Sequence, residues 1–290
     1  MQTFKDASKS KVVSARNWAR SGFEAMHEGR FQQAKTFFSR AAKDMPGDPR
    51  ILANLARTEF QQGNVERSIS VMEKAVEESD DPELRCELGE MYLRSGRWIA
   101  ANEHADKAIE KDRHLSAAWN LKGKLAAAKG EHQRALQLFQ RSLAYQTESD
   151  DIQMLIAQTY MRLDQPMRAL SATETLLNRH PPNRQPETAI IAKSEALLAM
   201  QQHPAAIDVL QIASNRPDSS KEMFFQLGKA QLHAGQRSQA RLTLAKGKQR
   251  FPEEELFTQL AGSLIEQPDS EFAAPHRVAS VKAEELDQQR

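Results

Sequence analysis

A small residue recurs along the chain at a nearly constant interval, and that spacing constrains the fold more than any other feature. Gly22, Ala56, Gly89, Gly123, Ala157, Ser194 and Gly228 are separated by 34, 33, 34, 34, 37 and 34 residues. A second series follows each of these by twelve residues: Ala34, Ser68, Ala101, Ala135, Ala169, Ala206 and Ala240. A third lies seven residues after the first. It is glycine at 29, 63, 96, 130 and 235, with Asp164 and Gln201 in the remaining two units. Coupled series of this kind describe repeated units that stack, so the chain grows by addition and not by enlarging a single core.

Small residues let two helices approach where a larger side chain would clash. The third series ends a first helix of about fourteen residues, because glycine accepts the left-handed backbone at a helix C-terminus. A second helix follows with apolar residues at helical spacing, Phe31, Ala34, Phe38 and Ala41 in the first unit. Pro46 then stops it, since proline cannot continue a helix.

The first unit therefore reads Trp18, Gly22, Ala34, Phe38, Ala41, Pro46, and this resembles the tetratricopeptide repeat. The fourth unit carries Trp119, Gly123, Ala135 and Phe139, and the last carries Phe224, Leu227, Gly228, Ala240, Leu244 and Pro252. Weaker units have Ala56 with Ser68, Thr173 where a bulky apolar residue is usual, and Ser194 with no glycine in its turn. The resemblance implies an all-α, right-handed α-solenoid of about seven helix-turn-helix repeats. Repeats are expected at 15–48, 49–81, 82–115, 116–149, 150–183, 187–220 and 221–254, after a lead segment at 1–14. A capping helix is expected at 255–266, because the last repeat has no neighbour to cover its apolar face. Residues 267–290 read as a mobile tail, in which Val278, Val281 and Leu286 offer at most one weak amphipathic turn. The 37-residue interval contains Pro181, Pro182 and Pro186. These favour an extended linker, either a kink between repeats or a longer loop without a role.

Lys and Arg total 40 against 39 Asp and Glu. Balanced charge gives no general attraction to nucleic acid or anionic membrane. With one cysteine, Cys86, a disulfide framework or multi-cysteine zinc site is excluded. No apolar stretch is long enough for a signal peptide or membrane span, so a cytoplasmic protein without membrane insertion is expected. The eight histidines form no His-Glu-x-x-His run, and no phosphate loop or nucleophile elbow is present. Neither a catalytic site, nor a metal, nor a cofactor is expected.

In the family that the chain resembles, first-helix positions 2, 5, 6, 9, 12 and 13 face a ligand in the concave groove. Here the first two units supply Arg16, Arg20, Phe23, Met26, His27, Arg50, Asn54, Arg57 and Phe60. The third supplies Glu83, Cys86, Glu87 and Glu90, the fourth Asn120 and Lys124, and the last Glu222, Phe225, Lys229 and Leu232. Two readings stay open for the arginines. Either they bind carboxylates of a peptide that also carries an apolar anchor, or Arg57 pairs with Glu87 or Glu90 of the next unit. The clamp that grips chaperone C-termini is not matched: Ala19, Phe23, Glu83 and Glu87 stand where it needs Lys, Asn, Lys and Arg, although Asn54 fits. The expected function is a protein-interaction scaffold or adaptor that holds a protein or peptide. The alternatives are a targeting or assembly subunit of a larger enzyme or membrane-associated complex, and RNA binding through related hairpins.

Overall fold

The computed structural model describes residues 2–255 and 257, with side chains from Ser10 onward. Among the described residues there are fourteen α-helices, one short 3-10 turn and no strand. The helices are α1 (Gln2–His27), α2 (Phe31–Asp44), α3 (Pro49–Gln61), α4 (Val65–Ser79), α5 (Pro82–Arg94), α6 (Trp98–Lys111) and α7 (Ser116–Ala128). They continue with α8 (His132–Tyr145), α9 (Asp150–Arg162), α10 (Pro166–Leu177), α11 (Glu187–Ala199), α12 (His203–Ser214), α13 (Lys221–His233) and α14 (Arg237–Arg250). The lead segment at 2–14 is helical and continuous with the first helix of the first hairpin.

Local chemistry starts and stops these helices. Asp48 caps α3 by accepting from the backbone amides of Arg50 at 2.9 Å and Ile51 at 3.1 Å, with Pro49 in the first turn. Asp81 and Pro82 repeat the arrangement at α5. At the other end of each first helix the chain turns through the left-handed region, at φ +71° to +81° for Gly29, Gly63, Gly96, Gly130 and Gly235. Asp164 at φ 54° and Gln201 at φ 60° hold the same place. A side chain in that conformation costs about 1 kcal/mol or more relative to glycine. Gln201→Gly is therefore expected to raise stability by about 1 kcal/mol, read as a higher urea midpoint. A lower midpoint would contradict the strain assigned to this turn.

The chain divides into two compact units within α10, one running through Ala172 and the other beginning at Thr173. In the N-terminal unit successive helices pack against one another from α1 to α9, and α5 also touches α7 across a hairpin. One core runs through several hairpins: Leu52, Ile69, Met72, Leu84, Leu88, Leu121 and Leu125 are contiguous. A core continuous across repeats is what makes the unit an α-solenoid. In the C-terminal unit α11, α12, α13 and α14 pack in the same succession. The proline segment of this unit forms a 3-10 turn at Pro182–Arg184. Arg216 donates to the carbonyls of Pro182 and Gln185 and so ties that segment to the end of α12.

Three glycines of the small-residue series, Gly22, Gly123 and Gly228, each face a side chain sixteen residues later, Phe38, Phe139 and Leu244. A Cβ on Gly22 would stand 2.8 Å from the Phe38 ring, and one on Gly123 would stand 2.5 Å from the Phe139 ring. Both rings are essentially fully buried. In the third hairpin the residue at that spacing is the small Ala105, and it is Leu121 from the next hairpin that stands over Gly89. Thr173 and Ser194, the unusual residues of the weaker repeats, are also buried, and the Ser194 hydroxyl donates to the Ile191 carbonyl at 2.7 Å. Of the expected capping helix only Glu255 and Phe257 are described, and Phe257 is buried against Gly247. The rest of it, and the tail with Val278, Val281 and Leu286, lie outside the described residues.

Candidate partner-binding face

In the N-terminal unit the first helices of the hairpins are α1, α3, α5, α7 and α9. On α1, Arg16, Arg20, Phe23 and His27 recur at helical spacing and form one stripe. All four are exposed, as is Arg50 on α3. Arg20 comes only within 3.9 Å of Glu24, with both side chains largely in solvent. Arg16 and Arg50 make no ion pair among the described residues. Phe23 is 45% exposed, and its ring meets buried Phe38 edge-on at 5.4 Å. An apolar ring thus stands on the core amid cations that have little compensation.

Further along the face the charges are satisfied internally. Arg57 forks onto Glu87 at 2.7 and 2.6 Å, and also donates to Asn54 Oδ1 at 2.8 Å. The hydrogen bond to Glu87 is the main cause that raises the Arg57 pKa, against a smaller opposing effect of burial. Asn54 is buried and donates to the Arg50 carbonyl. Lys124 bonds Glu90 at 2.5 Å. These half-exposed bridges each contribute less than about 1 kcal/mol, and they tie neighbouring hairpins together. The two readings left open for the arginines thus separate by position. Arg57 is taken by Glu87, whereas Arg16, Arg20 and Arg50 stand in solvent. Phe60 lies beneath the Arg94 guanidinium, 4.4 Å from it. The Asn120 carbonyl oxygen is buried without a hydrogen-bond partner. Cys86 is buried, and burial, with Glu90, Glu83 and Glu87 nearby, pushes its thiol up to about 12. A thiol so held has almost no thiolate at neutral pH.

In the C-terminal unit, Glu222 and Lys229 are exposed on α13, and Glu222 accepts from Gln226 at 2.6 Å. Phe225 is partly buried against Phe257.

One feature of this face escaped the sequence reading. Between α7 and α9 lies a cleft of about 290 Å³, lined by Lys124, Ala127, His132, Phe139, Leu155, Gln158, Thr159 and Arg162. Applying the ligand-facing positions to the fifth repeat as to the first four yields Leu155, Gln158 and Arg162, so the signal was present. Among the described residues no group of three or more metal-ligating side chains occurs, and no helix is long and apolar enough to cross a membrane.

Two profiles described as Tetratricopeptide repeat match the chain, one over residues 25–85 and 126–193 and the other over 86–150. A TPR repeat-containing protein of Pseudomonas aeruginosa is 38% identical over 65 residues, which is 22% of this chain. The chain spans 62% of the length of that relative. Among solved structures, a tetratricopeptide repeat protein from Parabacteroides merdae superposes with a TM-score of 0.62 at 14% identity, covering 87% of this chain and 99% of its own. Yeast Tom70 superposes at 0.66 with 15% identity, covering 89% of this chain and 55% of its own. The periodic glycines, the stacked hairpins and these matches agree: the chain belongs to the tetratricopeptide repeat family.

Proposed function

We propose that the chain is a binding scaffold that holds a peptide or protein segment along the first-helix face of its N-terminal unit, and that it performs no reaction of its own. The observation that carries this reading is the α1 stripe of Arg16, Arg20, Phe23 and His27, extended by Arg50 on α3, all exposed. Arginine forks suit carboxylates, and an aromatic ring seated on a core is a common binding hot spot. The guest is accordingly a segment with acidic residues and an apolar anchor. Nucleic acid is disfavoured, because the basic residues are balanced by acidic ones and the formal net charge is only +1. The Cys86 thiol, the one soft nucleophile, is buried and protonated, which fits a non-catalytic role.

Affinity capture would identify the guest, and its binding would then be measured with purified components. Reversing Arg16, Arg20 and Arg50 to Glu is expected to weaken binding at least tenfold and to steepen the loss at low salt. The thermal midpoint should hardly move, because these side chains are exposed. Unchanged affinity in the triple variant would refute this face as the binding surface.

A further inference from the structure

The cleft between α7 and α9 carries a more specific assignment, which rests on the scaffold reading. Its floor is apolar: the Phe139 ring, buried against Gly123, with Ala127 and Leu155 partly exposed beside it. A volume of about 290 Å³ accommodates one branched aliphatic side chain with its backbone and little more. The rim is polar and positive. Lys124 is already neutralised by Glu90. Arg162, the last residue of α9, is exposed and makes no ion pair among the described residues. Gln158 is exposed one turn before it and brings no charge. A carboxylate at the rim would therefore meet an uncompensated guanidinium, whereas a cation would meet that same guanidinium as like charge.

We infer that this cleft takes the apolar anchor of the guest. The occupant is an internal Leu-Glu pair of an extended segment, the leucine side chain filling the cleft and the glutamate reaching Arg162. Arg162 is exposed and lines the same cleft as Leu155 and Phe139, so a glutamate next to the leucine brings its carboxylate to the guanidinium. The anchor and the α1 stripe thus lie on one first-helix face, with the internally neutralised Arg57–Glu87 and Glu90–Lys124 bridges between them.

The test uses the full chain and two amidated probes, N-acetyl-Leu-Glu-amide and N-acetyl-Leu-Gln-amide, titrated to millimolar concentration and followed by backbone and methyl NMR. Perturbations are expected at Ala127, Leu155, Gln158 and Arg162, with the Glu probe binding about fivefold more tightly than the Gln probe at low salt. Arg162→Gln should abolish that preference without disturbing the fold, because the side chain is exposed. Ala127→Leu should fill the cleft and remove both responses. No perturbation at these residues, equal affinity of the two probes for the wild type, or perturbations centred on α1 and α3 would each overturn the assignment. Those outcomes leave the scaffold reading standing, since that reading fails separately, through guest binding that ignores the Arg16, Arg20 and Arg50 reversal.

Discussion

Truncating Phe139 to alanine is expected to destabilise the N-terminal unit by about 3–5 kcal/mol, the cost of emptying a well-packed aromatic site. The ring is 1% exposed and belongs to a cluster with Ala126, Ile152, Ile156 and Ala157, so it joins the fourth hairpin to the fifth. Its place is reserved by Gly123, where an added Cβ would fall 2.5 Å from two ring atoms. Gly123→Ala alone should therefore destabilise: overpacking costs about 1–3 kcal/mol, against a gain of up to about 1 kcal/mol in helix propensity. In the Phe139→Ala background the clash is gone and only the propensity gain remains. The same glycine substitution should then stabilise. A change of sign across this double-mutant cycle, followed by urea denaturation, is the signature of the interlock. Additive effects of equal sign would show that the ring and the glycine are not coupled.

The second large effect concerns Glu59, whose side chain is fully buried between α2, α3 and α4. Its Oε2 accepts from Lys35 Nζ at 2.8 Å and Asn64 Nδ2 at 2.7 Å, and Arg67 Nε lies 2.9 Å from Oε1. Lys35 and Arg67 both reach solvent, whereas the carboxylate cannot. That asymmetry sets the direction of the prediction. Replacing both cations, Lys35→Met with Arg67→Met, leaves a buried charge with only Asn64 beside it, and should cost about 3–5 kcal/mol. Adding Glu59→Met should recover most of that loss, because a buried charged cluster replaced by apolar groups of similar size is often neutral in stability. A triple variant no more stable than the double one would mean that the residues act through something other than charge compensation.

How much of this was legible in the sequence depends on whether a feature repeats. The hairpins, the left-handed turns and the close approach at Gly22 and Gly123 recur with a fixed period, and a period can be read without coordinates. The compensation at Gly89 could not. It depends on Ala105 being small in one hairpin and Leu121 reaching over from the next, a long-range exchange of volume. The Glu59 cluster was equally hidden, since a glutamate on a helix reads as solvated until the burial of its carboxylate is known. On the binding face, the sequence offers two readings of Arg57, a groove residue that takes a guest carboxylate or a partner of Glu87 or Glu90. Only distances separate the arginine committed to Glu87 from those that face solvent. The α7–α9 cleft is only half legible: Leu155, Gln158 and Arg162 stand in the ligand-facing register, but Phe139 and His132 join them from α8, which spacing on the first helices does not show.

Hydrogen exchange of the free chain against its complex with the purified guest distinguishes the first helices of the hairpins from the second as the seat of binding. Slowed exchange is expected to concentrate in α1, α3, α7 and α9, with α2, α4, α6 and α8 little changed. Slowing confined to the second helices of the hairpins, with the first helices exchanging as in the free chain, would contradict it.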